Sequence, residues 1–378
     1  MESNKALTLF DKHFGNIEDP RSKKGLLHPL RNILLISLVG VICGADDFVE
    51  IEEFGKSKIK FFSRFLNLKH GIPSHDTFGR IFSLINPDYF RSSFISWVSE
   101  LRTIMDDIVN IDGKALRHSF DTSCEKSMIY MVSAWANANN MVLGQVKVAE
   151  KSNEITAIPK LLELLDLSGC IITIDAMGTQ TAIAEAIRKE GADYVLALKG
   201  NQSTLQEEVK ESFEKLNAMK KAEVATKIQS DHGRIEERTC YVVPAKEYLT
   251  PNTLDKWKDL QSLIKIEAYF TYKNGKKQGK QTYEQRYYIS SLEQDAKRIN
   301  TTVQAHWGIE TKLHWVLDVA FREDDSRVRK GHAPENLAIV RHIALNKLKK
   351  ETSCKRGIKA KRKKAGWDNR YLLKILAT

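Results

Sequence analysis

Three features of this 378-residue chain predict an α/β fold preceded by a small helical part. The run Ile171-Ile172-Thr173-Ile174 is almost wholly apolar and β-branched, as in a strand covered on both faces; a strand with one wet face would alternate. Helical and strand-like segments alternate on either side of it. Residues 1–100, by contrast, show helical patterning only.

With 42% hydrophobic and 28% charged residues, the chain can bury a large core and divide into two or three domains. The longest apolar stretch, Ile33 to Ala45, contains Ser37 and is too short to cross a bilayer. Met1 to Lys5 lacks the charge and apolar core of a signal peptide. Cys43, Cys124, Cys170, Cys240 and Cys354 are scattered, without a CxxC pair, so neither a disulfide framework nor a cysteine zinc site is expected. These features predict a reduced, cytoplasmic protein without a membrane partner. Charge is concentrated at one end: Lys347 to Lys364 holds ten Lys or Arg and one acid, +9 of a net +11. A block such as Lys361-Arg362-Lys363-Lys364 is expected either to contact nucleic-acid phosphates or to be a solvated tail.

Along the chain, Pro29 precedes the apolar stretch from Ile33, and Ser74 with Thr77 opens a helix that places Phe78, Ile81, Phe82 and Ile85 on one face. Phe61, Phe62 and Phe65 read as core. Strands follow at 108–116, 128–135 and 141–149, with a turn at 137–140. A helix at 154–165 leads to the 171–175 strand, another at 181–190 leads to a strand at 194–198, and 203–220 is helical. Strand patterns at 234–243, 263–272 and 281–290 predict a β-rich insertion over about residues 222–292. Ser291 and Gln294 resemble a capping box for the helix that follows. Three antiparallel strands and then alternating helix and strand is the order of an RNase H-like fold. The expected organisation is therefore a helical domain at 1–100, an RNase H-like domain at 101–350 and a basic tail at 351–378.

Three acids stand out on this scaffold. Asp112 lies near the end of Ile108-Val109-Asn110-Ile111, followed by Gly113, which lets backbone or ligand come close. Asp175 ends its strand, where it either caps the next turn or faces the crevice in which α/β sheets bind ligands. Glu310 lies on a helical segment with His306 and His314 at spacing four. Carboxylates gathered this way suit a hard cation such as Mg²⁺. A zinc site ranks lower, since HExxH and a third soft ligand are absent. On spacing alone, Asp318, Glu323, Asp324 and Asp325 compete with Glu310.

Nine stretches together carry a family resemblance: Ile51 to Gly55, Gly71 to Thr77, Ile111 to Ser119, Glu150 to Pro159, Ile171 to Gly178, Ala197 to Gln202, His232 to Arg234, Tyr287 to Ser291, and His306-Trp307 through Arg327. The chain resembles the H-repeat-associated proteins of Rhs elements, an insertion-sequence transposase family with a DDE triad. The resemblance implies that Asp112, Asp175 and Glu310 are catalytic and bind two Mg²⁺ ions, with Mn²⁺ as a substitute. It selects Glu310 over the neighbouring acids through the pattern His-Trp-x-x-Glu. Its implied partner is double-stranded DNA, both transposon ends and target, bound by a homodimer. The implied activity is strand cleavage followed by strand transfer. Lys199, Asn201 and Gln202, after a strand on the Asp175 edge, are expected either at phosphate or in a plain turn; Arg234, Arg322 and Arg327, with the basic block, are expected either to contact DNA or to be solvated. The chain departs from the family at Gln304, where an Arg is common, and at Thr311, where an Asn is common; losing the guanidinium removes a bidentate phosphate donor. The alternatives are a metal-dependent nuclease without strand transfer and a relic that only binds DNA.

Overall fold

The computed structural model describes residues 2–22, 26–120, 127–149, 152–214, 221–231, 233–273 and 278–378; Met1, Cys124, Glu150 and His232, named above, and the last part of the expected 203–220 helix lie outside them. Among the described residues, six helices, from Glu2–Phe14 to Pro87–Leu101, precede the first strand. Ser74 does cap the helix His75–Leu84, accepting from the Thr77 N–H. Phe61 and Phe62 are buried and Phe65 packs against them, so this aromatic group is core.

The strands, among the described residues, are β1 Ile108–Leu116, β2 Ile129–Ala136, β3 Met141–Lys147, β4 Ile171–Ile174, β5 Asp193–Leu198, β6 Glu223–Asp231, β7 Arg234–Pro244, β8 Ser262–Tyr272 and β9 Gln281–Ser290. They form one sheet in the order β3-β2-β1-β4-β5-β9-β8-β7-β6. β1, β4 and β5 are mutually parallel at its centre, and the remaining pairings are antiparallel. All four residues of β4 are buried, as its β-branched run requires. Side chains alternate across it: Ile172 and Ile174 enter the main core with the helices Glu154–Glu163 and Thr181–Lys189, and Ile171 enters a second core against the helix Ala296–His306.

The β-rich segment is not set apart from the rest. β9 pairs with β5, Val195 opposite Ser290 through Leu198 opposite Tyr287, so strands β6 to β9 extend the central sheet by completing its open edge. The predicted capping box is corrected as well. Asp295 caps the helix Ala296–His306, while Ser291 is held by the start of β5, its hydroxyl accepting from the Tyr194 N–H and donating to Asp193.

The largest correction concerns the predicted basic tail, which contains two helices, Ile358–Trp367 and Asn369–Ala377. The second packs on Glu2–Phe14, and the first against Leu30–Ile42 and Trp315–Phe321. Arg362 is buried: its guanidinium donates to the carbonyls of Val41 (2.9 Å), Ala45 (3.0 Å) and Ala320 and to Asp46 (2.8 Å), and lies over the Phe321 ring. Lys361 is buried too, donating to the carbonyls of Leu348 and Glu351. Neither side chain faces outward to a DNA phosphate, because both satisfy carbonyl groups inside the fold. Lys363 and Lys364 are exposed. No helix among the described residues is long and apolar enough to cross a membrane.

Candidate metal centre

Pairing of β1 with β4 runs from Ile108 opposite Ile171 to Ile111 opposite Ile174, so the next residue on each parallel strand is Asp112 and Asp175. Strand spacing in a sheet is about 4.8 Å, which sets the two acids side by side at the carboxyl ends of adjacent central strands. The Gly113 N–H donates to Asp112 Oδ1 at 2.9 Å. The capping reading of Asp175 holds: Oδ1 accepts from the N–H groups of Met177 (3.1 Å) and Gly178 (3.3 Å), which fixes the side chain over the turn that follows β4.

Glu310 arrives from a separate element. The helix Ala296–His306 stops at Trp307, and Glu310–His314 form a π-helical turn before the helix Trp315–Phe321. Such wide turns cost hydrogen-bond geometry and are frequent at functional sites. This turn brings His314 Nδ1 to 3.3 Å from Glu310 Oε2 and 3.5 Å from Asp112 Oδ2. One donor atom each of Asp112, Glu310 and His314 lies within 4.8 Å of the others, a set that could hold a metal ion.

The helical break separates the two histidines that regular spacing put on one face. His306 turns into the sheet, where its Nδ1 lies 2.9 Å from Thr173 Oγ1, and Asn110 donates to the same hydroxyl at 2.5 Å. Burial lowers its pKa to about 4, and its Nδ1 is directed at Thr173 rather than at the three grouped donors. Burial also lowers that of His314.

Electrostatics distinguish this group of acids. Burial pushes the Asp112 carboxyl up to about 7; the Gly113 N–H opposes this, while the charges of Glu154, Asp175 and Glu310 add to it. Burial, then Asp175, raises Glu154. A bound divalent cation would relieve this accumulation, so the residues fit the ion that their chemistry calls for.

The competing acids are engaged elsewhere. Lys114 pairs with Asp318, with Glu323 at 3.0 Å and with Asp324 at 3.6 Å; Arg341 approaches Glu323 to 3.7 Å. Asp325 pairs with Arg322 at 3.1 Å. Asn201 and Gln202 follow the turn reading, not the phosphate one, and donate to the carbonyls of Ala176 (2.6 Å) and Thr179 (3.0 Å). Their amide donors brace the Asp175 turn. Lys199 and Arg327 are exposed; so is Arg234, which stacks on Phe270.

Gln304 accepts from Lys227 (2.7 Å), donates to Gln229 (2.5 Å) and lines a cleft of about 430 Å³ with Arg234, Arg238, Arg286 and Trp307. Arg286 stacks on Trp307, three residues before Glu310. The cations beside Gln304 therefore come from β6, β7 and β9, which no local spacing could reveal. Glu154 was also passed over, although it lies within one of the stretches that carry the resemblance; its place at a helix start next to the end of a strand was the available signal.

Residues 12–98 match the family described as DDE_Tnp_1-associated, and residues 104–347 match the transposase DDE domain. Among curated proteins of Escherichia coli K12, "Putative protein YbfL" and "H repeat-associated putative transposase YhhI" are each 40% identical over 97% of this chain and 97% of their own. "Putative transposase YncI" of Escherichia coli O157:H7 is 42% identical over 96% of this chain and 93% of its own. The chain belongs to the DDE transposases of the H-repeat-associated type.

Proposed function

We propose that this chain cuts double-stranded DNA at the ends of a mobile element and joins those ends to target DNA. The supporting observation is the pair Asp112 and Asp175 at adjacent strand ends, with Glu310 and His314 delivered beside Asp112 by the π-helical turn. In this reading Asp112, Asp175 and Glu310 hold two divalent ions, Mg²⁺ or Mn²⁺. Bound there, the ions supply charge that activates the attacking oxygen and stabilises the leaving oxygen in an in-line displacement at phosphorus.

The chain's own groups hold this arrangement in place. The Gly113 N–H orients Asp112, and the Met177 and Gly178 N–H groups orient Asp175. Asn201 and Gln202 restrain the turn behind Asp175. Lys114 ties β1 to the segment after the π-helical turn through Asp318 and Glu323. No protein nucleophile is involved: a water or a DNA 3′-hydroxyl attacks.

Lys199, Arg234, Arg322, Arg327, Lys363 and Lys364 are the proposed phosphate contacts, together with the arginines of the Gln304 cleft. Strands β1 to β5 serve as an RNase H-like catalytic unit, with residues 1–100 as an accompanying helical domain that meets the DNA ends. The protein works as a homodimer on DNA in the bacterial cytoplasm.

Supplying pre-cleaved element ends, a target plasmid and Mg²⁺ tests the proposal. Joined product supports it, cutting without joining indicates a nuclease, and a retarded but intact duplex indicates a binding protein.

A further inference from the structure

His314 is the last residue of the π-helical turn Glu310–His314. Only 6% of its side chain is exposed, against 59% of that of Glu310, so the ring reaches the acids from inside the fold. Leu313 beside it is buried in the main core and anchors the backbone that carries the ring.

A histidine that serves only the core commonly satisfies both ring nitrogens within the fold. His314 does not: its Nε2 is buried and has no hydrogen-bond partner among the described residues. Its Nδ1 is turned towards two carboxylate oxygens, Glu310 Oε2 at 3.3 Å and Asp112 Oδ2 at 3.5 Å. The second of these is the oxygen that Asp112 leaves free, since Oδ1 takes the Gly113 N–H. Both distances exceed the roughly 2.7–2.9 Å of a charge-assisted hydrogen bond. They suit donors that share an ion: ligand atoms about 2.1 Å from one cation stand about 3.0 Å apart at a right angle and about 3.4 Å apart at a tetrahedral one.

We propose that His314 Nδ1 is a ligand of one divalent ion, completing with Asp112 and Glu310 a mixed oxygen and nitrogen site, and that this nitrogen biases the site towards Mn²⁺ over Mg²⁺. The proposal rests on the two-ion reading given above and adds a donor to it. Asp175, outside this group of three, serves the other ion. Imidazole is a softer donor than carboxylate or water; it suits transition-metal ions, whereas Mg²⁺ takes oxygen and gives up its water reluctantly. The buried ring therefore acts as a selector as well as a ligand.

The test is pulsed electron paramagnetic resonance of Mn²⁺ added to the metal-free full chain, prepared with unlabelled or ¹⁵N-labelled histidine. A ring nitrogen bound to Mn²⁺ modulates the echo, and the label changes that modulation. The expected result is a histidine nitrogen coupling in wild type that is lost in His314→Gln, whose amide can still offer an oxygen to the ion. Bound Mn²⁺ without histidine coupling in wild type overturns this proposal and leaves the metal centre standing. Coupling that persists in His314→Gln comes from another histidine and overturns it as well. Absence of Mn²⁺ binding in wild type overturns both readings.

A second measurement reads the preference between ions. Losing an outer partner of a metal ligand costs about 10–100-fold in affinity, so losing the ligand itself in His314→Gln should weaken Mn²⁺ binding by about tenfold or more, and Mg²⁺ binding, measured by competition with Mn²⁺, by about threefold or less. Equal losses for the two ions overturn the proposal.

Discussion

Asp112 and Lys114 lie two residues apart on the same face of β1, yet the acids around them are balanced in opposite ways. Asp318, Glu323 and Asp324 converge on Lys114, and Arg341 adds a second cation beside Glu323. Around Asp112 the charged neighbours that raise its pKa are Glu154, Asp175 and Glu310, all acids. Buried charge that finds a partner within the chain serves the fold. Buried charge that repels its neighbours must be completed from outside. This difference, rather than spacing along the chain, distinguishes Glu310 from the acids close to it.

The contrast is broken most directly by exchanging the fates of Glu323 and Glu310. Glu323→Ala takes the buried carboxylate away from Arg341, while Lys114 keeps Asp318 and Asp324, and should lower stability by about 3–5 kcal/mol, read by urea denaturation at pH 7. Glu310→Ala removes an exposed side chain and should cost less than about 0.5 kcal/mol, while reducing metal-dependent cleavage by about 10³ or more. A stable but inactive Glu323→Ala beside an active Glu310→Ala would reverse the assignment.

A smaller effect sharpens the comparison through pH. The folded pKa of Asp112, about 7, stands above its ordinary 3.8, so the folded state holds this proton more tightly than the unfolded chain. Its contribution is therefore unfavourable, growing as pH rises from about 4 to 7 and constant above that range. In EDTA, Asp112→Asn should be more stable than wild type by about 1–3 kcal/mol at pH 8, with the gain vanishing below about pH 4. Equal melting temperatures at pH 8 would mean that the acids of this centre do not strain the metal-free fold.

The C-terminal basic block offers the same comparison in cations. Arg362→Gln should destabilise by about 2–4 kcal/mol, since it strips donors from buried carbonyls. Lys363→Gln with Lys364→Gln should leave melting unchanged. Each lost phosphate contact should flatten the log–log salt dependence of DNA binding by about 0.9. An unaltered slope would remove these two lysines from the interface. The smallest effect is expected from Gln304→Arg, because Arg234, Arg238 and Arg286 already line the cleft. Its single-turnover cleavage rate should stay within about twofold of wild type, and a larger gain would show that the cleft lacks a needed cation.

Much of the candidate centre was legible because its acids sit on strong local signals. β-branched runs mark β1 and β4, and an acid at each end needs no tertiary information to be noticed. Glu310 was harder to place, since regular helical spacing grouped it with His306 as well as His314. The π-helical turn, anchored by Leu313 in the main core, separates the two histidines. The basic block misled for a related reason: charge along a sequence does not disclose which side chains meet buried carbonyls. Lys361 and Arg362 differ from Lys363 and Lys364 only in the face of the helix they occupy.

By itself the sequence determined the α/β class, the helical start, the central strands and the family, because periodicity and short motifs are properties of neighbouring residues. Only the tertiary structure decided that β9 closes the sheet onto β5, that arginines from distant strands surround Gln304, and that Glu154 reaches the backbone beside Asp112. These depend on contacts between residues tens of positions apart. Which charges are paired and which are left uncompensated is settled there, since electrostatic energy follows distance and burial in space.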